Sequence, residues 1–196
     1  KGLSNAVAAA SYPLPRAMFT KESWTLEPPA VIALVEKIGR NGVPLADYVG
    51  EKPLYGIKTG LNEAFLIDTP TRNRLIRDDQ NCANVIRPYL RGQDIDRWFA
   101  PDSGLFMILL KSSADHPWVW ADSPTEQEAE RRFKSSYPSL YTHMKEFEEW
   151  TDHGLGKKRG LRHREDQGRF WWELRSCTYY DAFDREKIFY QVIQFH

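Results

Sequence analysis

Leu54-Tyr55-Gly56-Ile57-Lys58-Thr59-Gly60-Leu61-Asn62-Glu63-Ala64-Phe65-Leu66-Ile67-Asp68 is the stretch on which the reading of this chain turns. Two short apolar runs, 54–60 and 64–68, flank a bend that carries Gly60 with the polar residues Lys58, Thr59, Asn62 and Glu63. The spacing predicts two strands joined by a tight turn. The tip is either ordinary turn chemistry or a rigid presentation of donors and acceptors to a partner. Downstream, Thr71 to Arg77 predicts a helix capped near Thr71, and Leu105-Phe106-Met107-Ile108-Leu109-Leu110 is an apolar run of strand length. Ser123-Pro124, with Glu126 three residues on, predicts a helix start. Tyr137-Pro138 predicts another start, for a helix to about Trp150 with Leu140, Met144 and Phe147 on one stripe. Phe170 to Leu174 and Lys187 to Ile193 read as strands.

Upstream, residues 1–27 read as irregular, broken by Pro13 and Pro15. Glu27-Pro28-Pro29 then opens a helix whose apolar face is Val31, Ile32, Leu34, Val35 and Ile38, with Gly39 as its stop. A further short turn falls at Leu45–Val49. The expected class is α+β: a mixed, largely antiparallel sheet with flanking helices. Residues 1–50 form a lead-in to an upstream domain, and 51–196 form the main domain.

The chain has 196 residues, with 27 Lys and Arg balancing 27 Asp and Glu. The balance is a cancellation: successive stretches 1–50, 51–100, 101–150 and 151–196 carry net charges of +1, +1, −4 and +2. Neutrality excludes a polycationic tail but not a basic face. No stretch approaches the roughly 18 apolar residues of a membrane span. Cys82 and Cys177 match no metal spacing and read as structural thiols of a reducing cytoplasm. The sequence starts without a Met and ends just after an apolar run, and reads as a piece of a longer protein.

Catalytic signatures are missing. There is no GxxxxGK[ST] phosphate loop, no HExxH, no GxSxG elbow, and neither a glycine-rich cofactor loop after a strand nor an Asn/Asp-Pro-Pro-Tyr run. Asp102 followed by Lys111 lacks the second carboxylate that a nuclease metal site needs. Three segments do carry a signal. Lys157, Lys158, Arg159, Arg162 and Arg164 place five cations in eight residues with no acid among them. Arg87-Pro88-Tyr89-Leu90-Arg91-Gly92-Gln93-Asp94-Ile95-Asp96-Arg97-Trp98 sets guanidinium groups on a turn, where pairing of Arg91 and Arg97 with Asp94 and Asp96 competes with an outward role. Gly168-Arg169-Phe170-Trp171-Trp172-Glu173-Leu174-Arg175 places adjacent indoles in a strand-like run, which predicts one facing the core and the other facing out.

Taken in order, the 56–68, 86–98 and 168–175 segments resemble the TaqI-like C-terminal specificity domain. That is the target recognition domain of adenine-specific DNA methyltransferases and of combined, type II restriction–modification enzymes. The resemblance covers roughly residues 24–196. Members continue past the last strand, so ending at His196 implies that part of the domain lies beyond this sequence. The resemblance implies a non-catalytic module that reads double-stranded DNA beside a methyltransferase domain of the same chain. That upstream domain would hold S-adenosylmethionine and flip an adenine; no cofactor is expected in this chain itself. The residues implied in DNA contact are Lys58, Thr59, Asn62, Arg91, Gln93, Arg97, Lys157, Lys158, Arg159, Arg162, Arg164 and Arg169; the 157–164 cations suit phosphates, and Lys58, Asn62, Arg91 and Gln93 are side-chain types that read adenine or guanine. A protein-interaction domain and a small metal-dependent nuclease are the alternatives.

Overall fold

The structure, a computed structural model, describes residues 2–21, 24–50, 53–96, 98–152, 154 and 156–190. The chain divides into two compact units, Lys1–Tyr55 and Gly56–His196. The first is helical. α1 (Gly2–Ala10) occupies a stretch expected to be irregular. The prolines behind that expectation lie beyond the helix, and its Ala6-Val7-Ala8-Ala9-Ala10 run is rich in the strongest helix former. α2 (Pro29–Asn41) begins on Pro29, whose missing N–H would have no partner in a first turn. It runs through Gly39 because the Gly42 N–H still reaches the Ile38 carbonyl at 2.8 Å. α3 (Leu45–Val49) follows. None of the three helices buries a residue, and the α2 stripe of Val31, Leu34, Val35 and Ile38 stays 40–62% exposed.

The second unit is α+β. α4 (Asn62–Phe65) is one turn, running directly into β1 (Leu66–Asp68) and α5 (Thr69–Asp78). Asp68 caps α5 by accepting from the Thr71 N–H at 2.9 Å, three residues before the cap expected at Thr71. β2 (Ile86–Pro88) and β3 (Leu105–Ile108) complete an antiparallel sheet of order β1-β3-β2. The register pairs Leu66 with Met107 and Ile86 with Ile108. α6 (Glu126–Ser136) and α7 (Pro138–Glu146) pack on one another. A small antiparallel ribbon joins β4 (Thr151–Asp152) to β5 (Lys157–Lys158). Every described ladder is antiparallel, so the sheet is not mixed.

Five expectations need correction. The 54–60 and 64–68 runs do not form a hairpin. Ala64 and Phe65 are adjacent and both fully buried, which one helical turn allows and a strand with one solvated face does not; β1 pairs with the distant β3 instead. The α6 cap is Thr125, accepting from Glu128 N–H at 3.2 Å, not Ser123, which is buried. α7 ends at Glu146, short of the expected Trp150: Phe147 N–H bonds Met144 O at 3.0 Å and Glu148 N–H bonds Lys145 O at 3.3 Å, which tightens the last turn. Beyond it, the Phe147 and Trp150 carbonyls accept from Leu161 N–H at 2.8 Å and Arg159 N–H at 3.0 Å. Residues 170–174 are no strand but a closed turn, with Glu173 N–H on Phe170 O and Gly168 N–H on Glu173 O. Residues 187–190 likewise carry no ladder and are exposed; the rest of that expected strand lies outside the described residues.

The core is aromatic. Phe170, Trp172 and Phe133 form a column with centroids 4.9 and 5.2 Å apart and rings within 7° of parallel. Trp118 stacks on Trp120 at 4.8 Å. Trp171 and Trp172 are both buried, against the expectation that one faces out. Such rings each bury roughly 150–250 Å², and they lock the 167–174 turn to α6. Cys82 is buried too, and burial beside Asp79 pushes its thiol up to about 12.

Candidate functional site

Arg164 organises the second unit. It is 6% exposed, and its guanidinium donates to five backbone carbonyls. These are Thr59 at 2.6 Å, Asp166 and Trp171 at 3.0 Å, Leu161 at 3.4 Å, and Glu173. The planar fork, with five donors, is fully used. Its centre lies 4.7 Å from the Phe65 ring. Burial lowers its pKa to about 10, against the pull of Asp166, Glu173 and Tyr180. Glu173, wholly buried, answers it. The carboxylate accepts from Trp120 Nε1 at 2.8 Å, Ser113 N at 3.0 Å, Ser113 Oγ at 3.2 Å and Phe170 N at 3.3 Å. Both charges are therefore hydrogen-bonded, as buried charges must be.

Arg164 also shapes what lies above it. Gly60 has φ +67°, and a Cβ there would stand 3.1 Å from Arg164 Cδ. Thr59 is 5% exposed; its carbonyl is held by Arg164 and its hydroxyl donates to Asn62 Oδ1 at 2.6 Å. This loop floors an open basin of about 340 Å³ lined by residues 57–63, Arg159 and Asp166. Two cations, Lys58 and Arg159, and two carboxylates, Glu63 and Asp166, surround it. Arg175 pairs with Asp166 at 3.0 Å.

The basic run splits by role. Lys157 and Lys158 are exposed in β5 and form no ion pair among the described residues. Arg159 is exposed, 3.5 Å from Asp152. Arg162 is clamped between Glu148 at 2.7 Å and Glu126 at 2.8 Å, over the Trp171 ring. Although burial opposes it, those two carboxylates hold its pKa above the usual value. The same carboxylate side includes Lys145, 2.9 Å from Glu130; here too burial opposes, and Glu148 and Glu130 raise the pKa. Glu148 is held low by Lys145 and Arg162 despite its burial.

No family model, curated protein or solved structure matches the chain.

Of the sequence-expected residues, Lys58, Thr59, Asn62 and Arg159 therefore share one basin. Arg164 lies beneath it and cannot reach a partner. Arg169 donates to the Ala121 carbonyl at 2.6 Å and sits over Phe170. Arg91 and Gln93 lie elsewhere, on the Gly92–Asp94 turn. Arg91 is bidentate to Asp94 at 2.8 and 2.9 Å, which raises its pKa; Gln93 is exposed. Arg97 lies outside the described residues. Asp102, weighed as a metal ligand, caps a turn by accepting from Gly104 N–H at 2.9 Å. Among the described residues no group of three or more His, Cys, Asp or Glu is placed to share a metal ion, and no helix is long and apolar enough to cross a membrane. The sequence reading missed Asp166 and Glu63 as lining residues. Their only signal was proximity in sequence to residues already singled out.

Proposed function

We propose that residues 56–190 form a non-catalytic module that reads double-stranded DNA, the target recognition domain of a cytoplasmic adenine-specific DNA methyltransferase or restriction–modification enzyme. Its catalytic partner is a methyltransferase domain of the same chain that binds S-adenosylmethionine. The observation that carries this reading is the convergence of Lys58, Thr59 and Asn62 with Arg159 on one exposed basin. A base edge offers both donors and acceptors, and the basin's mixture of cations, carboxylates and an amide suits it better than a bare anion. Lys157 and Lys158 on the adjoining ribbon supply the sequence-independent phosphate term. The exposed apolar stripe of α2 suits a surface covered by protein, in keeping with a neighbouring domain.

The test is anisotropy of a labelled duplex titrated with the 196-residue chain, from about 50 to 200 mM salt. Replacing both Lys157 and Lys158 by Ala should weaken binding to all sequences alike. The slope of log K against log salt should shrink by about 2, near 0.9 per lost phosphate contact. An unchanged slope removes the ribbon from the interface.

A further inference from the structure

Asn62 sits on the basin floor in a constrained state. Thr59, almost wholly buried, donates its hydroxyl to Asn62 Oδ1 at 2.6 Å. The Thr59 backbone is itself fixed, because its carbonyl takes a 2.6 Å hydrogen bond from buried Arg164. The left-handed Gly60 follows directly, against the Arg164 stem. A short relay thus runs from the core through Thr59 to an exposed amide. With Oδ1 engaged, what Asn62 presents is its pair of Nδ2 N–H donors.

That orientation has a chemical consequence. A free Asn reads adenine bidentately, accepting from N6 and donating to N7. Here Thr59 takes one of the two lone pairs of Oδ1 and holds that oxygen toward the buried Thr59 side, so the donor half is what leads outward. Guanine offers two major-groove acceptors, N7 and O6; adenine opposes one of the donors with its own amine, and cytosine opposes with N4. We infer that Asn62, held by Thr59 and Arg164 as positioning residues, is a specificity-determining donor that selects guanine at one position of the duplex. The inference rests on the DNA-reading function proposed above.

The experiment is selection of duplexes with a randomised centre by the 196-residue chain, at about 50 mM salt so that weak binding is retained. The wild type should enrich a motif with guanine at one position. Asn62→Asp keeps an oxygen for Thr59 but turns the presented donors into an acceptor. It should move that one position from guanine to cytosine or adenine, with the other positions unchanged, and cost roughly 5- to 150-fold on the original motif, the range of one good base contact. Thr59→Val releases Oδ1 and should broaden the same position to guanine and adenine, while Thr59→Ser should restore guanine alone. If Thr59→Val fails to fold, Asn62→Asp and Thr59→Ser still decide. An enriched motif that is identical in wild type and Asn62→Asp overturns the role of Asn62 and leaves the DNA reading standing. A wild type that binds no duplex overturns the DNA reading, and this inference with it.

Discussion

Arg164→Lys is the sharpest probe of the fold beneath the basin. Arg164 serves five carbonyls from inside the protein. Lysine keeps the positive charge that faces Glu173 but has three donors and no planar fork. At least two of the five carbonyls therefore lose the arginine donor, and only that of Glu173 has another, the Gly168 N–H, so one or two are left with none. A buried acceptor left without one costs about 1–3 kcal/mol, so the substitution should cost roughly 1–6 kcal/mol. For a unit of this size that lowers the melting temperature by roughly 3–25 °C. Arg164→Ala is harsher. It takes the donor from all five carbonyls, of which that of Glu173 keeps another, the Gly168 N–H, and it removes the cation whose field reaches the buried Glu173 carboxylate; four acceptors at about 1–3 kcal/mol each come to roughly 4–12 kcal/mol. The total rivals the roughly 5–15 kcal/mol that holds a domain together, so this variant should not fold at 37 °C. Intrinsic tryptophan emission during urea or thermal unfolding reports both, since Trp120, Trp171 and Trp172 are all buried. An Arg164→Lys protein that melts within about 2 °C of the wild type would show that water or relaxation replaces the lost donors, and the hub would lose its meaning.

Two further outcomes follow from the same packing. Gly60→Ala should destabilise by about 1–3 kcal/mol, because a left-handed backbone alone costs an L-residue roughly 1–2 kcal/mol and the new Cβ would sit 3.1–3.2 Å from Arg164 and Asp166; a urea midpoint unchanged from the wild type contradicts this. His143 is buried with Nε2 at 2.9 Å from the Ala64 carbonyl, and burial lowers its pKa below the ordinary 6.5. The unfolded chain then takes up the proton first, so stability should fall as pH drops below 6.5 toward the folded value. A second loss should appear below about 4.5, where Glu148, Glu128 and Glu149, all held low by cationic partners despite any burial, begin to protonate in the unfolded chain. Urea midpoints across pH for wild type and His143→Gln check this; parallel curves between pH 7 and about 5.5 would take His143 out of the account.

What the sequence made legible is what local chemistry settles. The α5 start, the β3 run and the Pro138 helix start each depend on residues within one turn of themselves, and each was found. The failures have a common cause, partners far away in sequence. β1 reads equally well as half of a local hairpin; only the burial of both Ala64 and Phe65 and the distant Met107 pairing exclude that. Ser123 and Thr125 are equivalent cap candidates until packing buries one of them. Trp171 and Trp172 look like alternating faces of a strand, yet the Gly168–Glu173 closure turns both inward. Nothing in the local sequence separates Arg164 from Lys157. One lies among carbonyls from three segments and the other on an exposed ribbon, and long-range geometry makes that distinction.

The cancellation of charge along the chain has a concrete structural form. Three acidic residues of the third stretch meet side chains of the fourth: Glu126 and Glu148 hold Arg162, and Glu149 lies 2.8 Å from His163. Asp152 faces Arg159 within the ribbon itself. A reader of the sequence counts five cations between residues 157 and 164 and expects as many phosphate contacts. The structure spends Arg164 on backbone carbonyls and Arg162 on two carboxylates. That leaves Lys157, Lys158 and the loosely paired Arg159 as the run's outward charge, with Lys58 beside them at the basin. Exposed cations set the salt dependence of binding to DNA, at about 0.9 per neutralised phosphate. On the proposed DNA-reading function, the run should therefore contribute a slope near 2 to 3 rather than above 4. A steeper contribution would require Arg162 to leave Glu126 and Glu148, two contacts that also lie over the Trp171 ring and tie the ribbon to α6 and the end of α7. Phosphate binding and the anchoring of the ribbon compete for the same guanidinium, and the short ion-pair distances show which of them the fold favours.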